Sequence, residues 1–115
     1  MLIDATPTTF VSIYMCCGYT DLRKSIDGLT ELLVNVYDIN PYVENVLFLF
    51  CGRASYKVKG LVWEKNGFTL INKRLSEDRF HWDRNQENGL KGISYDQFIH
   101  LMNEGSPEES PDKPE

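Results

Sequence analysis

Hydrophobic residues follow three patterns in the first half of the chain, and each pattern predicts one element. Residues 10–17 form an apolar stretch that ends at a glycine, which predicts a strand followed by a turn. Between residues 21 and 37, apolar positions recur every three or four residues, which predicts a long amphipathic helix with Thr20 as its N-cap. Residues 45–51 form an unbroken apolar run, which predicts a buried strand.

A β-hairpin is predicted in the middle of the chain. The dipeptide Asn66-Gly67 separates two segments, and both residues tolerate the positive φ that a type I′ turn requires at its two central positions. The predicted strands are residues 56–65 and 68–75.

A two-residue turn at this dipeptide also predicts the register of the hairpin. Lys65 is then opposite Phe68, and Lys59 is opposite Arg74, with Trp63 on the same side of the ribbon. The other side is more aliphatic near its middle, and we expect it to pack on the helix.

The last elements are a short strand and a short helix. Residues 79–82 (RFHW) are predicted to form the strand. Ser94 is a suitable N-cap for a helix over residues 95–103, and Gly105 would end it. The order of elements predicts an α+β fold: an antiparallel β-sheet with a central Asn-Gly hairpin, packed by one long N-terminal helix and a short C-terminal helix.

The chain has 115 residues, enough for one domain, which we place at residues 1–105. Residues 106–115 alternate prolines and serines with carboxylates, so we expect a disordered acidic tail.

The position of the charges changes the meaning of the net charge of −5, which at first argues against nucleic-acid binding. Residues 103–115 hold five carboxylates and one lysine, so most of the acidity lies at the end of the chain. Residues 53–91 hold nine lysines and arginines against five carboxylates, which makes the middle of the chain locally basic.

Cysteine usage and hydropathy predict a cytoplasmic protein. Three cysteines are an odd number, and two are adjacent, which argues against a disulfide framework and favours buried, inert thiols. Residues 10–17 lack the positive flank of a signal peptide, and no apolar run approaches the roughly 20 residues that cross a bilayer, so we expect no membrane partner.

No enzymatic or metal-binding motif is present in the sequence. It has no nucleophile elbow, phosphate-binding glycine loop or zinc-binding cysteine and histidine spacing. We therefore predict no catalytic residue, no metal and no cofactor. A small enzyme would need a pocket of converging titratable groups that the sequence does not indicate.

Two basic groups are candidates for contact with nucleic acid. Arg23 and Lys24 lie where the first helix is predicted to begin, and cations beside the positive end of a helix favour a bound anion. A structural alternative is an ion pair between Arg23 and Asp27.

The predicted hairpin carries the second basic group, in which cations alternate with aromatic rings. Such surfaces bind nucleic acid because cations neutralise phosphates and rings stack on bases. The alternative is that Trp63 and Phe68 belong to the core, with lysine stems extending past them.

Residues 13–29 have the sequence IYMCCGYTDLRKSIDGL. This segment resembles the TnpB-type accessory proteins, the second open reading frame products of the insertion sequence 66 family of bacterial transposons. Leu22 stands where the family pattern has methionine. The resemblance extends over residues 9–105 through the motifs LFLFC, KGLVW, NGF, KRL and RFHW. Loop 52–56 keeps a single arginine where the family loop is usually arginine-rich.

The resemblance implies a non-catalytic accessory protein of transposition that binds element DNA, including its terminal repeats, or the transposase–DNA complex. The partner protein would be the transposase of the same element. The predicted nucleic-acid-binding residues are Arg23, Lys24, Arg53, Lys57, Lys59, Trp63, Lys73, Arg74 and Arg79. The alternative is a protein–protein adaptor without DNA contact, with the Phe48 and Phe50 strand and the hairpin edge as pairing surface.

We predict that removing the residues after Gly105 strengthens DNA binding, because the acidic tail would no longer screen the basic middle of the chain. Fluorescence anisotropy of labelled DNA with full-length and truncated protein measures the effect. Unchanged affinity would show that the tail does not screen the basic surface.

Overall fold

The computed structural model describes residues 10–84 and 89–107. Within them the chain forms a mixed five-stranded sheet and two helices. The elements are β1 (Ser12–Cys16), α1 (Ile26–Asn35), β2 (Val46–Cys51), β3 (Lys57–Glu64), β4 (Gly67–Arg74), β5 (Leu90–Ile93) and α2 (Tyr95–Glu104).

The strand order across the sheet is β4-β3-β2-β1-β5. β1 and β2 are parallel, whereas β1 pairs with β5, β2 with β3, and β3 with β4 in antiparallel fashion. The predicted fully antiparallel sheet is therefore wrong. A parallel pair needs a crossover connection, and the segment between β1 and β2, which contains α1, supplies it.

Both faces of the sheet are covered, which makes β2 a buried central strand. Alternate β2 residues enter two separate clusters: Leu47 and Leu49 pack in one, and Phe48 and Phe50 pack in the other. The unbroken apolar sequence of β2 follows from this position, because a strand covered on both faces has no solvent side. β2 pairs with β1 on one edge and with β3 on the other, so the expectation that the strand of Phe48 and Phe50 offers a pairing surface to a partner is wrong.

α1 covers one face of the sheet through Leu29 and Leu33. On the other face, α2 contributes Phe98 and Leu101 to the second cluster, together with Phe80 from the segment before β5.

The predicted long N-terminal helix is also wrong: α1 has 10 residues and begins at Ile26, with Ser25 rather than Thr20 as its N-cap. The Asp21 carboxylate accepts the backbone N–H of Arg23 at 3.0 Å, and the Lys24 N–H donates to the Asp21 carbonyl at 3.1 Å. This local turn competes with helical hydrogen bonding and delays the start of the helix.

The hairpin is present, but its predicted register is wrong. Glu64 pairs with Gly67, and Trp63 faces Phe68, so Lys65 and Asn66 form the turn. Lys65 has a positive φ of 55°, which lies in the left-handed region. The shift is two residues, so every side chain keeps the predicted side of the ribbon.

The two sides of the hairpin pack differently from the prediction. Leu61, Phe68 and Leu70 lie in the cluster beneath α1, whereas Val58 and Val62 lie in the cluster beneath α2. The side that carries Trp63 and Lys59 is therefore the side that α1 covers.

The end of the described chain contains one wrong prediction and one missed strand. Residues 79–82 are not a strand: Phe80 donates its N–H to Ser55, and Trp82 Nε1 donates to the Cys16 carbonyl at 2.8 Å. β5 was not predicted, because four residues at a sheet edge carry too little pattern.

The predicted second helix is confirmed. Ser94 Oγ accepts the Gln97 N–H, and the Gln97 side chain accepts the Ser94 N–H, forming a capping box. Gly105 ends α2 in the left-handed conformation. Beyond it, the Ser106 carbonyl lies 2.5 Å from His100 Nδ1, and Pro107 is buried. The rest of the predicted tail, residues 108–115, lies outside the described residues. In the described part, neither helix is long and apolar enough to cross a membrane.

We predict that Gly105→Ala lowers the free energy of unfolding by about 2 kcal/mol, because φ is 85° and a Cβ would lie 2.9 Å from the Arg79 carbonyl oxygen. Urea denaturation measures the loss. Gly67→Ala is the control, since a Cβ there meets no atom within 4 Å. An equal loss in both variants would contradict this account of Gly105.

Candidate nucleic-acid interface

An open cleft of about 600 Å³ lies at the carboxyl ends of the two parallel strands. Its lining comes from residues 19–23, which follow β1, and residues 52–57, which follow β2 and begin β3. Ligands of parallel sheets commonly bind outside the carboxyl ends of the strands, where the connecting loops diverge. The parallel pairing of β1 and β2 therefore creates the cleft.

Arg84 ties together the loops on the two sides of the cleft. Its guanidinium donates to the Gly18 carbonyl at 2.8 Å, to the Gly52 carbonyl, and to Ser55 Oγ at 3.1 Å. A longer hydrogen bond of 3.4 Å reaches the carbonyl of Cys51. One half-buried side chain thus fixes the ends of β1 and β2 relative to each other.

Two tyrosines of the cleft lining each contact two arginines. The guanidinium carbons of Arg84 and Arg53 lie 4.1 Å and 4.4 Å from the centroid of the Tyr19 ring. Those of Arg74 and Arg79 each lie 5.4 Å from the centroid of the Tyr56 ring. Cations at these distances are attracted to the ring faces. Four guanidinium groups are therefore concentrated around two aromatic rings.

Asp21 is the one carboxylate among the residues that line the cleft, and it binds Arg23. Its oxygens accept Arg23 Nε at 3.0 Å and Nη2 at 2.8 Å. These hydrogen bonds hold the pKa of Asp21 well below its usual range and raise the pKa of Arg23. The ion pair with Asp27, considered from the sequence, is replaced by this shorter-range pair.

The structure brings together five of the nine sequence-predicted binding residues. Arg23, Arg53 and Lys57 line the cleft. Arg74 and Arg79 lie beside the cleft because both contact the ring of Tyr56, which is part of its lining. Arg74 is also the cross-strand partner of Lys57.

The other four predicted binding residues lie elsewhere. Lys24 lies in the turn before α1 and is not part of the cleft lining. Lys59 donates its Nζ to the Lys24 carbonyl at 2.9 Å and so holds that turn. Trp63 lies six residues further along β3 than Lys57, or about 20 Å away. Lys73 precedes Arg74 on β4 and therefore points to the opposite face of the sheet.

Sequence reasoning missed Tyr19 and Arg84 as members of the site. Tyr19 lies three residues beyond the end of β1, and Arg84 belongs to a segment without a clear periodic pattern. The signal available for Arg84 was its membership of the basic middle of the chain. Its partners are 29 to 66 residues away in sequence, so no local pattern indicates them.

The three cysteines lie at the ends of β1 and β2 as buried, free thiols, which confirms their predicted burial. Burial raises the pKa of Cys16, Cys17 and Cys51 and keeps the thiols protonated at neutral pH. Thr20 donates its N–H to the Cys51 carbonyl at 3.1 Å, and its buried hydroxyl has no partner among the described residues.

The fold and the cleft together define a small domain with a mixed five-stranded sheet and a cluster of arginines beside the cleft. The family model described as "IS66 Orf2 like protein" matches residues 11–112, and the chain belongs to that family. This confirms the resemblance found in residues 13–29. The family has an accessory, transposition-associated context and is not a known catalytic family.

One relative matches over most of the chain. Uncharacterized protein y4hO of Sinorhizobium fredii (strain NBRC 101917 / NGR234) is 33% identical over 92 residues, which are 80% of this chain and 78% of that protein. No solved structure matches the chain.

We predict that Arg84→Gln lowers the free energy of unfolding by about 2 kcal/mol, because it removes charge-assisted hydrogen bonds to the loops after β1 and β2. Urea denaturation measures the loss. Arg79→Gln is the control: Arg79 is exposed, and we expect its loss to stay within about 0.5 kcal/mol. Similar stability of the two variants would contradict the tethering role of Arg84.

Proposed function

We propose that the protein assists transposition by binding element DNA through the cleft and its basic rim. The main support for this proposal is that four guanidinium groups lie around Tyr19 and Tyr56 at one edge of the sheet. The family supplies the transposition context. Physiological salt screens interactions between exposed charges that are more than about 8 Å apart. Carboxylates elsewhere in this acidic chain therefore have little effect on a phosphate held at the cleft, and the local excess of cations supports DNA binding.

The cations have different roles in this proposal. Arg53, Lys57, Arg74 and Arg79 are the exposed charges that contact phosphates. A guanidinium offers paired N–H donors that match two phosphate oxygens, which makes arginine well suited to this contact. Arg84 uses its donors on loop carbonyls and holds the loops in place. Phosphate contacts position a protein on DNA and carry no direct sequence information.

Asp21 limits the number of available cations. Its carboxylate occupies Arg23, so Arg23 contributes to DNA binding only when a phosphate replaces that carboxylate. The pair is solvent-exposed, with side-chain exposures of 91% for Arg23 and 46% for Asp21, so its opening costs little.

We predict that Arg53→Gln weakens binding to element-end duplexes and reduces the slope of log affinity against log salt by about 0.9, the value for one lost phosphate contact. Fluorescence anisotropy at several salt concentrations measures both quantities, with a scrambled duplex to test sequence preference. Lys65→Gln, which removes one charge at the hairpin turn, is the matched control and should leave the slope unchanged. Absence of binding to any DNA at low salt would refute the proposed function.

A protein–protein adaptor is the second candidate function, and one observation favours it. Among the described strands, β4 lies at the edge of the sheet and pairs with β3 alone, so its outer edge would offer backbone groups to a strand of the transposase. In that case the transposase would be captured after nuclease treatment, and Arg53→Gln would not change capture. Nuclease-sensitive capture would instead favour binding through DNA.

A further inference from the structure

We propose that the cleft accepts an unpaired nucleotide of a DNA strand, with its base stacked on the Tyr19 ring and its phosphate between Arg53 and Lys57. This inference rests on the proposed function and specifies the form of DNA that the cleft binds. It assigns Tyr19 a role as a base-stacking residue.

The Tyr19 ring is presented to solvent on a supported loop. Its residue is 52% exposed, and the Arg84 guanidinium lies 4.1 Å from the ring centroid. Arg84 is itself held by the carbonyls of Gly18 and Gly52. The ring is therefore in place before a ligand arrives, which lowers the entropic cost of stacking a base on it.

Arg53 supplies a charge that can follow the nucleotide. It lies in the exposed loop between β2 and β3, 4.4 Å from the Tyr19 ring centroid. An incoming base takes the place of the guanidinium against the ring, and the guanidinium binds the phosphate of the same nucleotide. Lys57 lines the same cleft and provides a second positive charge.

The shape of the site favours an unpaired nucleotide over a duplex. Bases within a duplex are stacked on their neighbours, so a ring can reach a base face only when the nucleotide is unpaired or extruded. The volume of about 600 Å³ lies within the range of pockets that enclose small ligands. A ring beside cations is also the combination found in single-strand binding sites.

The aromatic cluster around Trp63 is a less suitable stacking site. Its rings pack on one another, with centroids 4.8 Å apart for Trp63 and Phe68 and 5.1 Å apart for Trp63 and Tyr42. Contacts between rings already use part of the surface that a base would need. Tyr42, at 58% exposure, nevertheless provides a matched comparison for Tyr19.

The test compares the affinity of the full chain for three labelled DNAs of the same sequence: a single strand, a blunt duplex and a duplex with a single-stranded overhang. Fluorescence anisotropy is measured for the wild type and for Tyr19→Leu, Tyr19→Phe and Tyr42→Leu, with thermal unfolding to verify folding. We expect the single strand and the overhang to bind tighter than the blunt duplex. Tyr19→Leu should lower single-strand affinity about tenfold, and Tyr19→Phe and Tyr42→Leu should not.

The outcomes separate this inference from the proposed function. If the blunt duplex binds as tightly as the single strand, or if Tyr19→Leu has no effect, the inference is overturned while DNA binding stands. A loss caused by Tyr42→Leu rather than Tyr19→Leu would also overturn it, in favour of the Trp63 cluster. If none of the three DNAs binds, both the inference and the proposed function fail.

Discussion

Parallel pairing of β1 with β2 imposes a crossover on the chain, and the other main features of the fold depend on that crossover. It places α1 on one face of the sheet and leaves the other face for α2, so β2 is covered on both sides. It also brings the loops after β1 and β2 to the same edge, where they form the cleft. Arg84 then joins these loops through their carbonyl groups.

The electrostatics of the cleft depend on residues that are distant in sequence. The loop after β2 contains a single arginine, Arg53. In space, Arg74 from β4 and Arg79 and Arg84 from the segment after it lie beside the same two tyrosines. The local charge of the cleft is therefore set by tertiary contacts and not by the composition of one loop. This explains how a chain with a net charge of −5 presents a basic surface.

The errors of the sequence-based predictions have local physical causes. The spacing of apolar residues predicts a first helix that begins near residue 21, but α1 begins at Ile26. The start is delayed because the Asp21 side chain and carbonyl accept the backbone N–H groups of Arg23 and Lys24. The hairpin turn forms one position earlier than expected, with the positive φ at Lys65, so the pairing shifts by two residues. A shift of two residues leaves each side chain on the predicted side of the hairpin.

Features with a local cause could be determined from the sequence alone: the hairpin, the apolar strand β2, the capping box and C-terminal glycine of α2, and the family motifs of residues 13–29. Interactions between neighbours in sequence produce these features, so a short pattern is sufficient to indicate them. Only the tertiary structure decided that β1 and β2 are parallel, that β5 joins the sheet, and that Arg84 holds the cleft. These features join segments that are far apart in the chain. Their pairing depends on which apolar surfaces and which carbonyl groups have no partner within their own segment, and a local sequence pattern does not show this.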